Sequence, residues 1–342
     1  MALAAHGGHD LAVHQVDHGD DVHLERGRMR RVFVYEYLSA GGAAAAAEAL
    51  LPQGVAMRDA IIADLLRVTG VATTCAVCDG LCAGTPRGAW TKAAQPGESA
   101  VEFVGRMARL HDLAWVVAPE SDGLLAQLHE AVGAARWIGC EAATIRVAAS
   151  KRATLAALAL SGVLTPLAFA GGHRGPWIVK PDDGAGAVDT VVHRGREAAQ
   201  ADLWQRQDAG QRATLEPFVE GEALSVSMLA GRHGAQAIAC NRQDIRIGPQ
   251  GRLAYCGVHH RPHDPRAPRL HAVAEEVAHA MPGLRGFVGI DVVWHPARGP
   301  VVIEVNPRVT CAYVGLSAAL RRNLAADVLA LHDREEALHA DA

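Results

Sequence analysis

The chain has 342 residues and a mass of 36.0 kDa, with 50% hydrophobic residues, only 4% aromatic residues and a formal net charge of −4. This length allows two or three subdomains with their own cores, and the lack of a basic surplus argues against a protein that binds nucleic acid. Because the longest apolar stretch is interrupted by serine, glycine and proline, and because seven cysteines in so long a chain do not indicate a disulfide scaffold, we expect a cytoplasmic protein that neither spans a membrane nor is secreted.

Residues 1–28 precede the first strongly apolar segment and contain five histidines among glycine and aspartate. The histidines are a candidate metal-binding set. The segment has no periodic apolar face, however, so burial cannot offset the entropy of ordering it. We therefore predict a disordered extension, with Met29 as the first residue of the folded protein or as the true translation start.

A chain that begins at Met29 should keep full activity and the full melting temperature, because the extension offers no apolar surface to the fold. The measurement compares turnover and thermal unfolding of the two lengths. A large loss in either quantity would assign the histidines a role.

From residue 32 onward, predicted strands alternate with predicted helices. Such alternation indicates a parallel, doubly wound sheet, so residues 29–140 are predicted to form an α/β N-terminal domain. The elements in chain order are a strand at 32–37, a turn at 39–42, a helical run, a strand at 72–78, a helix at 98–111, a strand at 113–119 and a helix at 123–135.

The pattern changes after residue 140, where strands begin to follow one another without intervening helices. This change predicts an α+β domain over residues 141–335. Its elements are a helix at 151–160, a strand at 177–181, two strands around Gly221, a strand at 235–241, a helix at 270–281, and two strands at 286–295 and 300–308 joined by a turn.

Lysine is rare in this chain: of 33 Lys and Arg residues, only Lys92, Lys151 and Lys180 are lysines. Lys180 ends a predicted strand and precedes the glycine-rich sequence DDGAGA. Glycines such as Gly184 and Gly186 let backbone amides approach an anion, and lysine adds a compact positive charge, so the pattern predicts a phosphate site. It is not a Walker A loop. Lys151 is the second candidate, whereas the sequence around Lys92 indicates an exposed loop.

Acidic and amide side chains form a second cluster in the sequence GIDVVWHPARGPVVIEVNPR. Glu304 and Asn306 are two residues apart on a predicted strand, so they share a face. If the strands form a hairpin, Asp291 joins them. Such oxygen ligands suit Mg²⁺ that bridges nucleotide phosphates, and Arg308 is placed to hold a transferred phosphoryl group.

The segments WIVKPDDGAGA, EPFVEG, GIDVVW and VIEVNPR, preceded by Lys151, resemble the ATP-grasp ligases in this order over residues 140–331. The preceding unit resembles their N-terminal domain. The resemblance implies that Lys151 and Lys180 bind ATP phosphates beside Gly184 and Gly186. It also implies that Mg²⁺, with Mn²⁺ as the alternative, is bound by Asp291, Glu304 and Asn306.

The strand that matches EPFV would line the adenine pocket. In this interpretation Glu216 faces the exocyclic amine, and Phe218 and Val219 line the pocket, with backbone atoms of Val219 offered to the base. The ribose hydroxyls would be bound by Glu222, with Glu220 as the alternative because the spacing around Gly221 leaves the register open.

The resemblance implies acyl activation by ATP. A carboxylate attacks the γ-phosphorus to give an acyl phosphate and ADP, and an amine then displaces phosphate to leave an amide. Lys180 and Arg308 would act as catalytic residues by positioning groups and neutralising charge.

A narrower resemblance rests on YEYLSAGG, NRQDIRI with Tyr255 and Gly257 after it, and NPRVTCAYVGL. These segments are similar to the tyramine–glutamate ligase group of methanofuran biosynthesis, whose relatives are associated with methylofuran and with tyrosine as the amine. The group tends to have a hydroxyl residue where Cys311 stands. Glutamate, tyramine or tyrosine, and a homodimer are the implied partners.

Two other hypotheses for the function remain open. The enzyme alternative is an ATP-grasp ligase or carboxylase with another acceptor, such as a purine-pathway enzyme or an amino-acid ligase. The non-enzyme alternative is a protein that binds ATP without catalysis. The complete set of Asp291, Glu304, Asn306 and Arg308 argues against the latter, because a sensor needs neither metal ligands nor an arginine at the γ-phosphate.

Cysteines and histidines give weaker indications of a metal site than the acidic residues do. A C-x2-C-x3-C spacing is a candidate zinc or cluster site, but no fourth ligand is evident, and we predict that these cysteines pack as small hydrophobic residues. They are Cys75, Cys78 and Cys82. A second group is predicted to lie in a polar loop and comprises His259, His260 and His263.

Overall fold

The computed structural model describes residues 29–42, 49–78, 87–184 and 186–340, without the side chains of residues 335–340. The predicted extension at residues 1–28 lies outside these ranges. Within them, no helix combines the length and the apolar character that crossing a membrane would require.

The N-terminal domain is built on a parallel five-stranded sheet with the order β3-β2-β1-β4-β5. Val32 and Val34 on β1 share a core with two helices on one side of the sheet, whereas Phe33 and Tyr35 pack against two other helices on the opposite side. The predicted doubly wound sheet is therefore confirmed. The strands are β1 (Arg30–Glu36), β2 (Val71–Ala76), β3 (Trp90–Lys92), β4 (Leu113–Val117) and β5 (Trp137–Ile138), and the helices are α1 (Leu51–Leu65), α2 (Ala100–Arg109) and α3 (Leu124–Val132).

The strand order of this sheet reverses between β1 and β4. In doubly wound sheets, ligands bind beside the carboxyl ends of the strands at this point. The segment at 118–123, which follows β4, therefore lies where a substrate is expected. Lys92 lies on the short edge strand β3 rather than in the predicted loop, and its side chain is exposed.

A small antiparallel sheet with the order β7-β6-β8 carries the glycine-rich loop. Trp177 and Val179 on its central strand pack against Ala199 of a helix that the sequence did not predict. The elements of this part of the chain are α4 (Ala142–Ala148), α5 (Lys151–Leu160), β6 (Trp177–Pro181), β7 (Val191–His193), α6 (Arg196–Asp208) and β8 (Ala213–Pro217).

A larger antiparallel sheet follows, with the order β11-β10-β9-β12-β13. Leu224, Val226 and Val292 on one of its faces pack in the core with residues of the helix that follows β11. His259 and His260 lie on β11, not in the predicted polar loop. The elements are β9 (Glu222–Gly231), β10 (Gly234–Ile247), β11 (Leu253–His260), α7 (Ala267–Ala280), β12 (Gly286–His295) and β13 (Gly299–Asn306).

The C-terminal helices α8 (Leu316–Leu320) and α9 (Leu324–Ala340) connect the two domains. Leu324 and Val328 of α9 share a core with β1 and α1. Asp64 of α1 accepts hydrogen bonds from the Tyr313 hydroxyl at 2.8 Å and from the Ser317 hydroxyl. The segment after Arg308 is thereby held against the N-terminal domain. The observed layers match the predicted fold, an α/β domain followed by an α+β domain, whereas the boundary at 140 stays a prediction.

Candidate active site

The β12–β13 hairpin brings the predicted metal ligands together. Asp291 lies directly opposite Glu304 in the antiparallel register, and the Asn306 side-chain amide donates to Asp291 Oδ2 at 3.3 Å. A β-bulge at Ile303 shifts the register, so that Val302 lies opposite Val292. Bulges near active sites redirect side chains. Here the bulge places Glu304 on the face of Asp291 while Val302, two residues earlier, stays in the core.

Gln243 of β10 also belongs to this group; it lies in the segment NRQDIRI, but the sequence did not single it out as a site residue. Its side-chain amide donates to Asp291 Oδ1 at 2.9 Å. Burial and the nearby Glu304 carboxylate raise the pKa of Asp291 to about 7, against the lowering effect of the bonds from Asn306 and Gln243. Asp291 therefore holds a proton more readily than an exposed aspartate does.

The donor set fits a hard divalent cation. Two carboxylates and the Oδ1 of Asn306 are the oxygen donors that Mg²⁺ prefers. In the described part of the chain, no cluster of three or more His, Cys, Asp or Glu side chains could hold a metal ion. An ion bound by Asp291, Glu304 and Asn306 would therefore complete its coordination with phosphate oxygens and water, as Mg²⁺ does in nucleotide sites.

Binding of Mg²⁺ with ATP should release a proton from Asp291 below about pH 7. In the folded protein the pKa of Asp291 lies above the ordinary value of 3.8, so the fold favours the protonated carboxyl. The contribution of Asp291 to the free energy of unfolding therefore falls as the pH rises from about 4 through 7. A cation needs the carboxylate and displaces the proton. Calorimetric titration at pH 6 in two buffers with different ionisation enthalpies measures the release, which should disappear at pH 8.5 and in Asp291→Asn. Identical proton release by that variant and the wild type would contradict the assignment.

Lys151 stands at the first position of α5 and reaches the hairpin. Its ammonium lies 3.0 Å from Glu304 Oε1 and donates to the Gly184 carbonyl at 2.9 Å. Burial lowers the pKa of Lys151, but the Glu304 carboxylate more than offsets this effect and the pKa is raised, so the side chain is charged. The helix start is fixed by Asp182, which accepts from the Ser150 hydroxyl at 2.7 Å and from the Arg152 amide at 2.9 Å. Lys151 is thereby held beside the glycine-rich loop.

The glycine-rich loop has an unusual backbone. Gly184 and Gly186 have φ values of 123° and 74°, and the non-glycine residues Ala187 and Asp189 also have positive φ. Successive left-handed residues can turn backbone N–H groups toward one anion. The loop directly follows Lys180, as the sequence predicted for a phosphate site.

Lys180 and Glu216 form a nearly inaccessible ion pair between β6 and β8. The Lys180 ammonium lies 2.9 Å from Glu216 Oε2, and the side chains are 5% and 2% exposed. The other carboxylate oxygen, Oε1, is buried without a hydrogen-bond partner among the described residues. An unpaired buried acceptor is costly. An exocyclic amine of adenine is a donor that would satisfy it, which is the contact expected for Glu216.

The connection between the two sheets of the second domain carries the remaining adenine candidates. The Phe218 amide donates to the Pro176 carbonyl at 2.9 Å, and Val219 is buried.

The structure does not bring Glu222 to the metal group. Glu222 lies opposite Trp294, whereas Ser225 lies opposite Asp291. Since Glu222 and Ser225 are three residues apart, they face opposite sides of the sheet.

The environment of Glu222 explains its orientation. Its carboxylate pairs with Arg266 at 2.6 Å and with Arg242 at 3.5 Å. The alternative, Glu220, is exposed at the turn before β9. Glu222 thus lies on the face of β9 opposite to the one that carries Ser225, and the ribose contact at Glu222, with Glu220 as the alternative, stays a prediction.

Arg308 is bound by a residue of the N-terminal domain. Its guanidinium contacts the two Glu120 oxygens at 2.9 and 3.0 Å, and both side chains are less than 10% exposed. Glu120 follows β4 at the reversal of strand order. In the same segment, the Asp122 amide donates to the Asp183 carboxylate at 3.0 Å. The N-terminal domain thus contacts both the arginine and the glycine-rich loop.

Cys75, the first cysteine of the C-x2-C-x3-C spacing, lies in the core. Cys75 is fully buried on β2, and burial raises the pKa of its thiol to about 12. This agrees with a packing role. Cys82 lies outside the described residues.

The chain is similar to two protein-family models, to a curated protein sequence and to solved structures. A model of the ATP-grasp domain matches residues 148–312, and a model of the pre-ATP-grasp domain matches residues 74–145. Tyramine–L-glutamate ligase from Methanocaldococcus jannaschii is 28% identical over 208 residues, which cover 60% of this chain and 58% of that protein. The match thus spans less than two thirds of this relative's length.

Two solved structures share the fold. An ATP-grasp superfamily protein from Archaeoglobus fulgidus superposes with a TM-score of 0.64 at 20% identity over 88% of each chain. An L-amino acid ligase from Bacillus licheniformis superposes with a TM-score of 0.60 at 16% identity over 85% of this chain and 69% of that one. With two domain models in their expected order across more than half of the chain, and with the matching fold, this protein belongs to the ATP-grasp superfamily.

Proposed function

We propose that the protein is an ADP-forming carboxylate–amine ligase that joins glutamate to tyramine or tyrosine through an acyl phosphate. The observation that carries the proposal is the convergence of Lys151, Arg308 and the Asp291–Glu304–Asn306 group beside a glycine-rich loop. Such an arrangement offers cations and metal-ligand oxygens to one triphosphate.

The residues of the chain bind and position the reactants. Glu216 and the backbone at Val219 would bind adenine, and Lys151 and Lys180 would bind phosphates beside Gly184 and Gly186. Mg²⁺, with Mn²⁺ as the alternative, would neutralise phosphate charge when bound by the hairpin residues.

In the first step, an oxygen of the substrate carboxylate attacks the γ-phosphorus, and the bond to the ADP oxygen breaks. Arg308 stabilises the negative charge of the transferred group. In the second step, the amine nitrogen attacks the acyl carbon, the bond to the phosphate oxygen breaks, and the nitrogen loses a proton. Positioning and charge neutralisation suffice for both steps, so no nucleophilic side chain is required.

The choice of glutamate and of tyramine or tyrosine is supported by the similarity to tyramine–L-glutamate ligase and by the segments NRQDIRI and NPRVTCAYVGL. We extend the proposal to a cytoplasmic homodimer in methanofuran- or methylofuran-type cofactor biosynthesis. Its proposed domains are 29–140 and 141–335.

The test is ADP release with ATP, Mg²⁺ and glutamate across a panel of amines, with the amide product identified by mass. ADP release should require both glutamate and tyramine or tyrosine. Release with another amine or with bicarbonate would replace the substrate assignment. Nucleotide binding without release under any condition would indicate a non-catalytic ATP-binding protein.

A further inference from the structure

A cavity of about 250 Å³ lies between the two domains, close to the glycine-rich loop. We call it the acceptor cavity. Its walls come from the start of α1, from the residues after the glycine-rich loop and from β11, and include Leu50, Gln53, Val188, Ala254 and Tyr255. A cavity of this size is slightly smaller than the sites that hold drug-sized ligands. It suits a molecule with one ring rather than a nucleotide.

Val188 supplies an apolar side chain to the cavity wall and is 48% exposed. Polar groups of the same wall come from Asp189, Thr190 and Arg252. The neighbours of Val188, Ala187 and Asp189, have φ values of 59° and 50°, a region that costs free energy for residues other than glycine and that clusters at ligand sites. The strained pair presents an apolar side chain to the cavity.

One end of the cavity is linked to the segment that follows Arg308. The Cys311 thiol donates to Gln53 Oε1 at 3.3 Å and is hydrogen-bonded to the Tyr255 hydroxyl. Burial raises the pKa of this thiol, while the charges of Arg308 and Asp291 act on it in opposite directions. Cys311, three residues after Arg308, is therefore in contact with two residues of the cavity wall, Gln53 and Tyr255.

We propose that the acceptor cavity binds the body of the amine substrate, a single aromatic ring with a short chain, and directs its amino group toward Arg308 and Asp291. This inference rests on the proposed ligase function. The nitrogen forms a bond to the acyl carbon, the carbon–oxygen bond to phosphate breaks, and inorganic phosphate and a proton leave. Leu50, Val188 and the Tyr255 ring would contact the aromatic ring of the amine, and Gln53 with Cys311 would form the polar inner end.

Filling the cavity should separate large from small amines. Ala254 is exposed on β11 and is part of the cavity wall, so Ala254→Phe adds a ring at this wall without disturbing the core. We expect kcat/KM for tyramine to fall about tenfold or more. Formation of glutamyl hydroxamate from hydroxylamine, which is too small to need the cavity, should be unchanged, as should the KM for ATP.

Two further variants complete the test. Ala209→Phe, at the exposed end of α6, adds the same ring outside the cavity and should change neither reaction. Val188→Ala removes apolar contact instead of adding bulk, and it should raise the KM for tyramine while leaving hydroxamate formation intact. Val188→Ala still tests the proposal if Ala254→Phe does not fold. Thermal unfolding shows whether each variant is folded.

Equal losses with tyramine and hydroxylamine, or unchanged tyramine kinetics in Ala254→Phe and Val188→Ala, would overturn the inference. Failure of the proposed function itself looks different. In that case the wild type forms no hydroxamate from ATP, glutamate and hydroxylamine.

Discussion

Glu304→Gln is expected to abolish turnover while the protein remains folded. Glu304 is the carboxylate that faces both Asp291 and Lys151, and it would hold Mg²⁺ together with Asp291 and Asn306. A neutral amide cannot balance the charge of the metal. The side chains are nearly isosteric, and the glutamine oxygen can still accept from the Lys151 ammonium, which lies 3.0 Å from Glu304 Oε1. Packing along β13 should therefore survive.

The measurement is ADP release at saturating Mg²⁺, ATP, glutamate and amine, with the melting temperature recorded in parallel. Glu276→Gln is the matched control, because Glu276 is exposed on α7 and pairs with Arg269 at the surface. It should behave as the wild type in both assays. Near wild-type turnover in a folded Glu304→Gln protein would mean that the metal is held elsewhere.

Lys180→Met is expected to weaken both ATP binding and the fold. The loss of ATP affinity follows from removing a phosphate charge in a partly dry site. The loss of stability follows from Glu216, whose carboxylate would remain almost fully buried without its cation. Breaking one partner of a buried pair costs roughly 3–5 kcal/mol.

The two effects can be separated with a second substitution. In Lys180→Met/Glu216→Gln the buried charge is gone, so much of the stability should return while ATP affinity stays low. Lys151→Met should also weaken ATP binding. Lys92→Met is the control, since Lys92 is exposed on the edge strand β3. Isothermal titration with ATP and thermal unfolding measure both quantities. Equal effects at Lys92 and Lys180 would refute a phosphate role for Lys180.

The central features of the candidate site follow from local sequence patterns. Alternation around Asp291, and the spacing of Glu304 and Asn306, are sufficient to predict a hairpin with one polar face. The strand before DDGAGA and the helix that begins at Lys151 are likewise local. The structure has both elements at the predicted residues, 177–181 and 151–160.

Other features depend on distant residues and have no local signal. Glu120 is separated from Arg308 by 188 residues, and no pattern in APESDG indicates an arginine partner. The bulge at Ile303 is invisible in the sequence VVIEV, because a run of apolar residues fits either register. The edge strand β11 has no regular alternation of apolar and polar residues. An exposed edge strand does not require this alternation, so the pattern from which strands are predicted is missing there.

The pairing of each expected phosphate-binding cation with one glutamate has a consequence for ligand selection. Lys151, Lys180 and Arg308 contact Glu304, Glu216 and Glu120, respectively. An anion without a metal, such as inorganic phosphate or metal-free ATP, must displace a glutamate carboxylate from each of these cations. The displaced carboxylate then lies close to the bound anion, and the two negative charges repel each other. A nucleotide that carries its metal ion supplies a positive charge beside Glu304. Lys151 can then bind a phosphate while the Glu304 carboxylate is still neutralised. We therefore expect the site to select by charge balance, binding the metal–nucleotide complex in preference to anions without a metal.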